Sequence, residues 1–226
     1  MSLLSRKFEG APELARVLPL VVFAALTAFQ GHLGKGSEYW VYLLKTVVGG
    51  WMVWELRPRL EEMRWQISWE AVAVGVAVFA LWVGLDGHYP RLAELQAGAG
   101  WNPRQPLGQG SAAAWFCIVG RMAGSTLVVP PLEEVFYRSF LYRYFVKRNF
   151  RAMPFNQFHA LSFIVTAVIF GLMHAERWLA AILCGLAYQG LAVRKNRLGD
   201  AMTAHGLTNF LLGLWVVWKG AWHFWS

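Results

Sequence analysis

At 226 residues, 57% hydrophobic and only 15% charged, the chain is too apolar for an ordinary soluble domain, in which about a quarter of residues carry charge. The net charge of +8 raises nucleic acid as a partner. However, the basic residues gather in short connectors, "RPRLEEMR" (57–64), "RYFVKRNFR" (143–151) and "RKNR" (194–197), instead of covering one solvent face. That distribution argues against nucleic acid and for cytoplasmic flanks facing anionic lipid.

Seven apolar runs follow in chain order, at about 14–30, 38–56, 67–85, 111–131, 157–174, 177–193 and 201–218. Their lengths suit a bilayer, and the lack of period-2 alternation selects helices over barrel strands. The expected fold is therefore all-α, a polytopic transmembrane bundle of seven to eight helices, with residues 1–226 as a single domain. The first run has no convincing signal-peptide cleavage site and is taken as a membrane helix. Between the third and fourth runs lies the longest polar connector, 86–111, rich in Gly and Pro. Positive-inside bookkeeping puts it outside and the N-terminus in the cytoplasm. Cys117 and Cys184 lie inside apolar runs and form no metal or disulfide pattern, so they are expected to be small packing residues. Gly120 and Gly124 of the fourth run have the small-xxx-small spacing that permits close helix contact. The segment 138–151, aromatic and basic, suits a helix emerging from the membrane.

Most charges can reach a span end, whereas Lys45 and Arg121 cannot easily do so. Two adjacent carboxylates, Glu133 and Glu134, follow the pair Pro130–Pro131 at the end of the fourth run. Glu134 and Arg138 are four apart, so they share a helix face and can neutralise each other. Glu133 points about 100° away, toward Tyr137, and needs a partner from elsewhere in the bundle. Three polar residues in later apolar runs can supply it: His174, four residues after Phe170, and the pair His205 and Asn209, one helical turn apart.

Chemically, Glu133 with His174 can deprotonate a water, and His205 with Asn209 can donate hydrogen bonds to the oxyanion formed when that water attacks a carbonyl. No GxSxG elbow is present and neither cysteine has a histidine close by, so nothing points to a covalent intermediate. The bland alternative places both glutamates at a solvated helix end. A zinc site built from Glu133, His174 and His205 is the competing chemistry, although no HExxH motif occurs. A non-catalytic scaffold and a proton-relaying transporter are the other classes, the latter lacking visible inverted repeats.

Taken together, "EEVFYR" (133–138), "FGLMH" (170–174) and "HGLTN" (205–209) resemble the EExxxR, FxxxH and HxxxN motifs of the CPBP family, the Rce-type CAAX prenyl proteases and their bacterial processing and self-immunity relatives. The resemblance covers the C-terminal half, with a motif-bearing core of about 111–218. It implies an intramembrane active-site cavity and a peptidase of the metal-independent glutamate type. Catalytic Glu133, His174, His205 and Asn209 would be supported by Glu134, Arg138, Phe170 and Tyr137. It further implies a peptide or protein substrate at the membrane, no cofactor, and a multi-pass location in a bacterial cytoplasmic membrane. The non-catalytic immunity protein of the same fold stays as an alternative. One feature fits poorly: a straight fifth span puts His174 about 25 Å from its cytoplasmic end, while His205 lies close to that end.

Overall fold

Seven helices occupy the seven apolar runs in the computed structural model, which describes residue 8 and residues 10–58, 60–92 and 100–225. Arg59, residues 93–99 of the long connector, and the basic residues 6 and 7 before the first run lie outside the described residues. The helices are α1 (Pro12–Ala28), α2 (Ser37–Leu56), α3 (Trp69–Gly84), α4 (Ala112–Val146), α5 (Ala160–Leu172), α6 (Trp178–Lys195) and α7 (Gly199–Lys219). No strand occurs among the described residues. Local chemistry sets several ends. The Ser68 and Ser111 hydroxyls accept from the amides of Ala71 and Ala114, capping α3 and α4. Left-handed Asn196 and Gly220 stop α6 and α7.

α7 is the central element, packing on α3, α4 and α6, while α5 lies along α6 and α1 packs on α2 and α4. The approach of α3 to α7 depends on Gly75, where a Cβ would come within 2.8 Å of the Ala204 carbonyl oxygen. Cys117 and Cys184 are buried free thiols, as their apolar setting suggests.

α4 departs most from expectation. The sequence ends its span near the two prolines, but the helix continues for 35 residues, to Val146. It does so by widening twice into π-type turns, at Gly124–Val128 and Val135–Leu141, which accommodate residues that a regular α ladder cannot bond. The segment from 138 is also not a headgroup helix throughout, because Arg138, Tyr142 and Arg143 are buried against protein. Among the described residues, α4 alone is long and apolar enough to cross a membrane as a single helix. α5 and α6 pass that test only together, bent by 111° at their break, and α3 is a shorter apolar helix. The remaining runs carry charges within the helix, such as Glu38, Lys45 and Glu55 in α2.

The buried arginines below α4 converge on one carboxylate. Glu62, in the α2–α3 connector, pairs with Arg16 of α1 at 2.6 Å, and Ser139 donates to the same Oε1 at 2.6 Å. Arg143 donates to the Ser139 hydroxyl oxygen at 2.7 Å. Burial pushes the Glu62 carboxyl up, but Arg16 and Ser139 override it and hold it below the ordinary glutamate range. A depressed carboxyl contributes stability above its unfolded value, about 4.3, and loses that contribution as pH falls through the folded value. The melting temperature in detergent should therefore fall as pH drops below about 4.3. Glu62→Gln should flatten that fall while lowering stability near neutral pH by roughly 3 kcal/mol, since Arg16 loses its partner. An unchanged pH profile in the variant would refute the assignment.

Candidate active site

The local chemistry of α4 dictates where α7 can dock. In the first widened turn the Val129 amide bonds to the Gly124 carbonyl, five residues back. In that register the carbonyls of Ser125 and Thr126 would look to the amides of residues 130 and 131, and proline has none to give. α7 fills the gap. Asn209 Nδ2 donates to the Ser125 carbonyl at 2.8 Å. Gly206 lies against the Thr126 carbonyl, where a Cβ would come within 2.9 Å. The two prolines thus expose carbonyls, and the HxxxN turn of α7 is placed on them.

Glu134 has no exposed surface. Its Oε1 takes Arg138 Nη1 at 3.2 Å and His205 Nδ1 at 2.9 Å. The expected Glu134–Arg138 pair is present, but the expectation that Glu134 is satisfied on its own helix needs correction. A carboxylate oxygen offers two lone pairs, and the second recruits His205 from α7. Arg138 also donates to the Gly185 carbonyl of α6 at 3.4 Å and stacks on Phe170 at 4.6 Å. Tyr188 stacks on His205, with ring centroids 5.1 Å apart, and donates to Thr208 Oγ1 at 2.8 Å.

Glu133 points away from that cluster, as its helical position predicts. Its Oε2 is buried without a hydrogen-bond partner and lies 3.9 Å from His205 Nε2. Tyr137, the expected neighbour on α4, packs edge-on against Phe170 at 5.1 Å. His174 lies in the α5–α6 break, its Nδ1 2.8 Å from the Phe170 carbonyl. A carbonyl only accepts, so Nδ1 carries the proton and the neutral ring keeps Nε2 bare as an acceptor. The same reasoning at His205, whose Nδ1 faces an ionised carboxylate, leaves its Nε2 bare unless the ring takes a second proton.

Glu133, His174, His205 and Asn209 all line one cavity of about 160 Å³, with Ser125, Trp82 and Tyr188 among its other walls. The straight fifth span expected from sequence needs correction: α5 has only 13 residues and meets α6 at a 111° bend, and His174 at that break lines the same cavity as His205. Tyr188, Thr208 and Ser125 were not found from sequence. Thr208 sits inside the HGLTN motif, and Ser125 is marked by lying five residues before Pro130; Tyr188 carries no such signal. Among the described residues, no three His, Cys, Asp or Glu side chains are grouped so as to hold a metal ion.

Residues 113–211 match the family model described as type II CAAX prenyl endopeptidase, Rce1-like, which spans all three motifs and a little under half of the chain. No curated protein and no solved structure matches. If the α4–α7 contact positions the site, Gly206→Val should lower stability by about 1–3 kcal/mol through overpacking against the Thr126 carbonyl. Gly84→Ala, where a Cβ meets nothing within 4 Å, should leave the melting temperature unchanged or slightly raised. Equal effects of the two changes would count against a tight contact.

Proposed function

We propose that this chain, acting as one unit, is a membrane-embedded endopeptidase whose catalytic centre is the Glu133 cavity, since residues 113–211 match the model of the Rce1-like type II CAAX prenyl endopeptidases, a family of proteases. The observation that carries this reading is Glu133 Oε2, buried and without a protein partner, in a cavity shared with two imidazoles and an amide. A buried carboxylate oxygen in that position fits a hydrogen bond from a water.

The reaction follows from the atoms available. Water lies between Glu133 and the bare Nε2 of His174, and one of them accepts its proton as the oxygen attacks the scissile carbonyl carbon. Asn209 uses one amide hydrogen on Ser125 and keeps the second for the developing oxyanion. His205, held by Glu134 through Nδ1, donates from Nε2 when its ring carries both protons. The proton taken from water then passes to the leaving amine nitrogen, and the peptide bond breaks without a covalent intermediate. Glu134 and Arg138 orient His205 and do not touch substrate.

Several outward surfaces support a multi-pass membrane setting. Val47 is 68% exposed, Phe116 68%, Leu161 68% and Trp218 75%, so α2, α4, α5 and α7 all present large apolar side chains outward. Water tolerates such a girdle poorly, and lipid tolerates it well. The substrate on this reading is a peptide or lipid-linked tail entering from the membrane surface.

The test is cleavage of farnesylated CAAX-pattern peptides by the protein in nanodiscs, read by mass spectrometry. Glu133→Gln should lower turnover by a factor of about 1,000 with an unchanged melting temperature. A chelator should leave wild-type turnover intact. Chelator-sensitive cleavage would assign Glu133, His174 and His205 to a metal instead, and full activity in Glu133→Gln would overturn the proposal.

A further inference from the structure

Arg121 is a partly buried cation on the cavity wall that the chemistry above does not use. It lies on α4, twelve residues before Glu133, and Arg121, Ser125, Val129 and Glu133 all line the same cavity. Its Nη1 is buried without a hydrogen-bond partner, and no carboxylate pairs with it among the described residues. What surrounds it instead is aromatic: the guanidinium carbon lies 4.5 Å from the ring centroid of Tyr42, 4.7 Å from that of Trp101 and 5.4 Å from that of Trp225. Lys45, a second basic side chain that shares the Tyr42 ring with Arg121, is held by the Thr27 hydroxyl and the rings of Phe23 and Tyr42.

Ring faces attract a guanidinium, but less strongly than burial of an unpaired charge disfavours it. A guanidinium surrounded by rings keeps its N–H groups as donors, which a planar anion can accept in a fork. The other two arginines in the second half of α4 each have an anionic or polar partner: Arg138 pairs with Glu134 and donates to the Gly185 carbonyl, and Arg143 donates to Ser139. An arginine without an acid, lining the cavity that also holds Glu133, is placed as a ligand-binding cation would be.

We propose that Arg121 is a carboxylate receptor in this cavity, gripping an acidic group of the bound peptide and thereby fixing which bond reaches Glu133. The inference rests on the cavity being a peptide site. Arg121 precedes Ser125, the residue that anchors Asn209, by one helical turn, about 6 Å. An extended chain advances about 3.3 Å per residue, so the gripped carboxylate lies within a few residues of the attacked carbonyl. It can be the C-terminal carboxylate or an acidic side chain close to it, and these two sources are separable.

Three dye-labelled farnesylated peptides of one CAAX-pattern sequence distinguish them: free acid, C-terminal amide, and C-terminal amide with an acidic last side chain. Binding to the wild-type protein in nanodiscs is read by fluorescence anisotropy at low temperature, before turnover. The free acid, the acidic amide or both should bind at least about ten-fold more tightly than the plain amide. The arm that does so identifies the source. Arg121→Gln should abolish that preference while binding the plain amide as the wild type does, which also reports that the variant is folded. Arg121→Lys should retain part of it. Equal binding of all three peptides to wild type, no binding of any, or an undiminished preference in folded Arg121→Gln would overturn the proposal. Should Arg121→Gln fail to fold, the wild-type comparison and Arg121→Lys still decide it. A carboxylate preference without cleavage would leave this inference standing and sink the protease reading, and cleavage without preference would do the reverse.

Discussion

A fully buried carboxylate holds the C-terminal half of this protein together. Glu134 has no access to solvent, so its charge is tolerable only while Arg138 and His205 both remain on its Oε1. Those two contacts fix much else. Arg138, once drawn in, reaches the Gly185 carbonyl of α6 and lies on Phe170 of α5. His205, once turned toward Glu134, presents its second nitrogen toward Glu133 and accepts the stacked ring of Tyr188. One ionised group thereby connects four helices and sets a histidine tautomer. The neighbouring carboxylate, Glu133, stays outside this network and faces the cavity.

The second constraint is a subtraction. Pro130 and Pro131 remove two donors from the middle of α4, and the widened turn before them leaves the Ser125 and Thr126 carbonyls facing outward. Asn209 and Gly206 answer those two carbonyls from consecutive turns of α7. The HxxxN motif therefore has a structural role independent of chemistry. Its asparagine seals a helix defect with one amide hydrogen and offers the other to the cavity.

Much of this was legible in the residues. Apolar run lengths located all seven helices, because long uninterrupted apolar stretches leave little choice of secondary structure. The i, i+4 spacing of Glu134 and Arg138 foretold their pairing, and the 100° offset of Glu133 foretold its isolation. His174, His205 and Asn209 were singled out as a histidine or amide in otherwise apolar runs, and all three line one cavity. What escaped was whatever depends on backbone register. Two prolines read as a helix end, since a regular α ladder cannot pass them. The course of α5 read as straight, since its break is made by the short turn Ala175–Arg177, whose residues carry no Gly or Pro to announce it. The second contact of Glu134 was hidden because side-chain spacing on one helix says nothing about what a neighbouring helix brings.

The widened turn of α4 also corrects the phase of the helix. In an unbroken α-helix, twelve residues leave Arg121 and Glu133 about 120° apart around the axis, facing different neighbours. A turn that absorbs one extra residue reduces that offset to about 20°, and the two side chains line the same cavity. A spacing of twelve with the bulge is therefore equivalent to a spacing of eleven without it. Chains that differ by one residue between these positions can share a site geometry, while chains of equal spacing without the bulge do not.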